Sequence, residues 1–142
     1  MNWHVNSVGM TMLKIPAGNF VRKDNYDAAM KQTVTLTGSF LLADGEVTRA
    51  QFQHFIDDPE RPDWEKRVWP PWPGEDPKYS PTAQHPVQNV GWSDAVRFCN
   101  WLSRQEKLAV CYERKGNDEG WRFIRERFNR AANGYRLPTE AE

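Results

Sequence analysis

Two cysteines, three histidines and a run of arginines among aromatic rings are the residues of this chain whose types could carry chemistry. Cys99 and Cys111 could form a disulfide, supply a thiolate nucleophile, or pack as small apolar residues. Two cysteines are too few for a disulfide scaffold. Cys99 also falls on the apolar stripe of an expected helix, so it reads as a buried residue and the pair as reduced thiols, with a bond between them as the alternative. His4, His54 and His85 lie far apart, and none sits at ligand spacing to a cysteine or carboxylate. A zinc site needs about four such ligands. The chain has no glycine-rich phosphate loop and no Gly-x-Ser-x-Gly turn to expose a nucleophile. Tyr112 and Glu113 have no identifiable base or nucleophile beside them. No catalytic, cofactor-binding or metal-ligating residue is therefore assigned.

Arg122, Arg125, Arg127 and Arg130 stand among Trp121, Phe123, Ile124 and Phe128, a mixture that can hold RNA or a phosphate. Glu126 interrupts the run and Asp118 and Glu119 precede it. The whole chain carries 19 basic and 19 acidic residues and a formal net charge of +0. A nucleic-acid binder shows a basic excess on at least one face, so nucleic acid is not expected as a partner. Residues 59–91 hold eight of the ten prolines together with Trp64, Trp69 and Trp72. Disordered linkers are poor in aromatics, so this Pro/Trp-rich loop is expected to pack onto the domain by its rings. The alternative is a contact surface for a ligand.

The elements that would position these residues follow from periodicity. A strand is expected from Met10 to Phe20, with Leu13 and Ile15 alternating against polar neighbours and a break at Pro16 and Gly18. Residues 22–31 have no apolar period and read as a loop. Gln32 to Thr37 alternates, with Val34 and Leu36 on one face and threonines on the other, and Phe40-Leu41-Leu42 suits an antiparallel neighbour. Thr48 caps a first helix, with Gln51 as its capping-box partner and Val47 stapled onto Phe52. Phe52, Phe55 and Ile56 recur at helical spacing before Asp57-Asp58-Pro59 ends the element. A second helix is expected from Ser93 as N-cap, with Asp94 at N1 favouring the helix dipole. Ala95, Cys99 and Leu102 form its stripe, Val96 and Phe98 flank it, and it runs to about Lys107. Trp121 to Arg130 is ambiguous between helix and strand. Seven Trp and seven Phe provide the core of a single α+β domain.

The last residues contain a second capping box, Thr139 with Glu142, preceded by Leu137 and Pro138. Such a box satisfies the free amides that open a helix, and one turn alone is unstable because nucleation is costly. The sequence thus leads to the expectation of a helix continuing beyond Glu142. At the other end, Met1 to Ser7 has no basic segment followed by an apolar one, so it does not read as a signal peptide. No apolar run reaches the roughly 18 to 20 residues that span a bilayer. A soluble, cytoplasmic chain with no membrane partner is the expectation.

Several segments in order resemble the formylglycine-generating enzyme family, the sulfatase-modifying factors. They are Ile15-Pro16-Ala17-Gly18-Asn19-Phe20; Glu46-Val47-Thr48; Pro86-Val87 with Val90-Gly91-Trp92-Ser93-Asp94-Ala95; Phe98-Cys99-Asn100-Trp101-Leu102; and Gly134 to Glu142 with its Arg-Leu-Pro-Thr-Glu-Ala-Glu. Val21-Arg22 stands where members often have Met-Gly, and Lys115 to Arg130 matches no family pattern.

The resemblance implies an α+β, C-type-lectin-like fold in the formylglycine-generating enzyme variant. Residues 9–142 would be the N-terminal portion of the domain, incomplete at the C-terminus, with the 59–91 loop inside it. Active members of the family use copper and oxygen to convert a sulfatase cysteine to formylglycine, and they also bind calcium. Their paired catalytic cysteines and calcium loops match no position here, so neither copper nor calcium is expected in this chain. Cys99 matches a second-helix position, and in members with disulfides its partner would lie beyond Glu142. The resemblance implies the scaffold half of an oxygen-dependent protein-cysteine oxidase, inactive alone. Its partners would be a protein substrate or the missing C-terminal half. The alternatives are a non-catalytic lectin-like binding module using the Trp-rich loop at residues 64–73, and a remnant with no independent function.

Overall fold

A computed structural model of the chain describes residues 2–23, 31–62, 66, 78–114 and 126–142. Within them the order is β1 (Trp3–Val5), β2 (Thr11–Ile15), β3 (Gly18–Lys23), β4 (Lys31–Leu36), β5 (Phe40–Ala43), α1 (Arg49–Asp57), α2 (Trp92–Gln105), β6 (Tyr112–Arg114) and β7 (Glu126–Phe128). This is an α+β arrangement. β1, β2 and β5 form an antiparallel sheet with β2 at its centre, while β3–β4 and β6–β7 are separate two-stranded ribbons.

The turn between β1 and β2 is built by Asn6 and Gly9. The Asn6 carboxamide oxygen accepts from the amides of Val8 and Met10 at 3.2 and 2.8 Å. The Gly9 amide donates to the Asn6 carbonyl at 3.0 Å with φ at 79°, a conformation that only glycine adopts without steric strain. Pro16 and Gly18 do break the expected long strand, and the break is larger than the sequence implies. Its two parts belong to different sheets. Consequently Phe40–Ala43 lies beside Thr11–Ile15, with Met12 opposite Ala43 and Ile15 opposite Phe40, and not beside the 32–37 strand. That strand pairs instead with Gly18–Lys23, extended at its start to Lys31. Short-range pairing of β3 with β4 closes a local hairpin, which loop-closure entropy favours, and leaves β5 free to return to β2.

Helix α1 begins where the sequence places it. Each of its first four amides has a partner: Arg49 donates to the His85 carbonyl and Ala50 to the Ala83 carbonyl, Gln51 to the Thr48 hydroxyl, and Phe52 to the Thr48 carbonyl. The Gln51 carboxamide returns to the Thr48 amide at 2.9 Å, completing the capping box. Residues 83–87 are thus fastened along the start of α1, with Val87 donating to the Val47 carbonyl. The cap of helix α2 lies two residues before the predicted Ser93: Gly91 is its N-cap and Asp94 stands at N3. The reason is that the Asp94 carboxylate reaches back to the Gly91 amide at 3.2 Å, a bond that Asp94 at N1 could not make. α2 ends at Gln105, after which Lys107 takes a left-handed φ of 58°.

The core lies where α1 and α2 meet under the first sheet. Met10, Met12, Phe52, Phe55, Phe98, Trp101 and Leu102 are buried together. Phe52 stacks on Phe98 with centroids 5.3 Å apart, and Phe55 meets Phe98 edge-on at 6.1 Å and Trp101 at 5.7 Å. Such ring pairs contribute about 0.5–1.5 kcal/mol each beyond the area they bury. Asp58, the residue that ends α1, accepts from the Trp101 indole at 2.6 Å and the Gln105 carboxamide at 2.9 Å. This polar tie fixes the angle between the helices, and the Trp101 bond holds the Asp58 carboxyl below its usual range. Arg61 closes the end of α1, lying over the Phe55 ring at 4.5 Å and donating to the Ile56 carbonyl.

Candidate functional site

The chemistry-bearing residues that the fold brings together lie on the other side of α2, where the segment 132–142 docks. Val96, Cys99, Cys111 and Tyr112 form a second buried cluster, with Ala132, Tyr135 and Leu137 packed against it. Asn100 positions the two halves: its carboxamide donates to the Tyr112 carbonyl at 2.7 Å and accepts from the Tyr112 amide at 3.2 Å. A backbone residue held on both sides by one buried side chain has little freedom, so Cys111 and Tyr112 are set against α2.

Three groups then hold the segment that follows. The Ser103 hydroxyl donates to the Cys99 carbonyl and accepts the Tyr135 amide, both at 2.8 Å. The Tyr112 hydroxyl accepts the Leu137 amide at 3.0 Å. The Cys111 thiol lies 3.2 Å from the Gly134 carbonyl and donates towards it. Gly134 passes so close to α2 that a Cβ there would stand 2.3 Å from the Ala109 carbonyl oxygen and 2.5 Å from the Ser103 hydroxyl. Tyr135 finishes on Glu106, donating from its hydroxyl at 2.8 Å, while the Ser7 amide donates to the other carboxylate oxygen at 2.8 Å. Burial opposes ionisation of Glu106, but these donors outweigh it and hold the carboxyl below its usual range. Burial pushes the Tyr135 hydroxyl far above the ordinary phenol range, with the Glu106 hydrogen bond adding to it.

The Arg136 guanidinium makes a fork with the Glu142 carboxylate, one arm at 2.6 Å, and its Nη1 also donates to the Leu137 carbonyl at 3.1 Å. The hydrogen bonds from Arg136 hold the Glu142 carboxyl at a pKa of about 2. The Thr139 amide donates to the same carboxylate at 2.9 Å, which is the returning arm of the capping box expected here. Arg22 of β3 pairs with Glu140, an exposed contact between the β3–β4 hairpin and this segment.

The arrangement is that of a clamp. Cys111 is 1% exposed, and burial pushes its thiol above its ordinary value. A protonated, enclosed thiol is neither a nucleophile nor a ready metal ligand. Cys99 is also buried, but in the second cluster and not with Leu102 in the aromatic core as a single stripe would have it, and the two thiols are not joined in a disulfide. Burial likewise raises the Tyr112 phenol, so it serves as a neutral acceptor and not as a base. Among the described residues no group of three or more His, Cys, Asp or Glu is placed to hold a metal. The histidines stay apart: His85 meets the Thr82 hydroxyl at 2.8 Å, and His54 lines a shallow groove of about 340 Å³ with Arg49, Gln53 and Asp57. Trp64, Trp69 and Trp72 lie outside the described residues, as do residues 121–125 of the 121–130 run, while Glu126–Phe128 is strand β7. No described helix is long and apolar enough to cross a membrane. The clamping roles of Asn100, Ser103 and Gly134 were not read from sequence, because each depends on backbone distant along the chain and leaves no local pattern.

Fold and site together define a small α+β domain in which two helices carry a docked Arg-Leu-Pro-Thr-Glu-Ala-Glu segment. A family model described as the sulfatase-modifying factor enzyme 1-like domain matches residues 4–142, and the chain belongs to that family. It is similar to chaperone protein LppX of Paenibacillus barcinonensis, with 31% identity over 86 residues. That similarity covers 54% of this chain and 30% of the relative, so the chain spans well under half the length of the curated protein it matches. No solved structure matches the chain significantly.

Proposed function

We propose that these residues are the scaffold of a lectin-like sulfatase-modifying-factor domain and do not themselves carry out oxygen-dependent oxidation of a protein cysteine. The observation that carries this reading is the use of the Cys111 thiol. It is buried and donates to the Gly134 carbonyl, so it serves to dock the 132–142 segment. Copper(I) is held by thiolates; burial keeps the Cys111 thiol protonated, and Cys99 is enclosed in the same cluster. Calcium takes six to eight oxygen ligands, whereas Glu142 and Glu106 are already committed to Arg136 and to Ser7 and Tyr135. The test is turnover of a cysteine-containing sulfatase-motif peptide by the purified chain with copper, oxygen and a thiol reductant. The reading expects no formylglycine by mass spectrometry. Product that disappears in Cys111→Ser would overturn it.

A second reading, a non-catalytic binding domain, is supported by a ridge of rings beside the start of α2. Trp92 is 55% and Phe128 39% exposed, and both lean on the buried Tyr112 ring, at 6.2 and 5.5 Å. The chaperone name of the relative favours a polypeptide as the ligand. Fluorescence anisotropy with a labelled unfolded polypeptide tests it: Trp92→Ala should weaken binding by about 30-fold, the size of an aromatic hot spot. Absence of binding by the parent chain would end this reading.

A further inference from the structure

We draw no further inference here: the strongest candidate, the exposed apolar patch of Trp3, Val5 and Leu13 on the β1–β2–β5 sheet, carries nothing because nothing in the structure shows what covers it.

Discussion

The hydroxyl of Tyr112 accepts the amide of Leu137 at 3.0 Å, and this bond joins a residue clamped to α2 with the docked 132–142 segment. Because Asn100 fixes the Tyr112 backbone on both sides, the phenol is an anchored acceptor at a set distance from the helix. Tyr112→Phe keeps the ring contacts with Trp92 and Phe128 but leaves the Leu137 amide without its partner. The expected loss is about 1 kcal/mol, the net worth of a typical hydrogen bond, since the Leu137 amide is only partly buried. Urea unfolding of the two proteins measures it, and an unchanged midpoint would show that the bond is not structural.

Gly134 is required by space. A methyl group there would collide with the Ala109 carbonyl and the Ser103 hydroxyl, so the segment must lift from α2. Gly134→Ala is expected to lower stability by at least about 1–3 kcal/mol, as for other overpacked sites. Gly38→Ala is the comparison, since nothing lies within 4 Å of its Cβ position, and it should be neutral or slightly stabilising. Thermal unfolding of both variants separates crowding from the general effect of removing a glycine.

Acid should weaken the same clamp. Glu142 has its pKa lowered from 4.5 to about 2 by Arg136, so it binds a proton more readily in the unfolded chain. Its contribution is therefore fully present above about pH 4.5 and is lost as pH falls towards about 2. Glu142→Gln removes this dependence. The decline in stability between those pH values should be shallower in the variant, and parallel curves would show that the pair contributes nothing to folding.

Both thiols should be slow to react. Cys99 and Cys111 are buried, and burial holds the Cys111 thiol in its protonated, unreactive form. With a maleimide at neutral pH, labelling should proceed only as fast as the chain opens, and urea should accelerate it to the rate of a free cysteine. Mass spectrometry counts the labels. Rapid labelling of Cys111 in the native chain would show that the clamp is open.

Much of the helical frame was legible in the sequence. Thr48 and Gln51 carry a capping box whose geometry is local, and Phe52 and Phe55 reveal their inward face by spacing. The α2 stripe was drawn through Ala95 and Cys99, whereas the core takes Phe98 and Trp101 with Leu102. The strands were less legible, because pairing depends on partners distant in sequence. Phe40–Ala43 crosses over the β3–β4 hairpin to reach β2. Leu13 and Ile15 looked like the inward side of a strand, but Met12 is the buried residue and Leu13 is left outside. Asp94 shifted the start of α2 because its carboxylate selected the Gly91 amide, a choice between neighbouring caps that propensity does not resolve. The clamp of Asn100, Ser103 and Gly134 was invisible for a similar reason. Each clamps through side-chain-to-backbone bonds or a close approach to residues 12 or more positions away.

On the proposed reading, the thiols of this chain serve packing and do not hold a metal. An anaerobic titration with copper(I) against a chromogenic chelator of known affinity tests it most directly. The account predicts that the chain fails to withdraw copper from the chelator while folded, and that Cys99→Ser and Cys111→Ser leave that result unchanged. Stoichiometric copper uptake by the folded chain, abolished by either substitution, would contradict it.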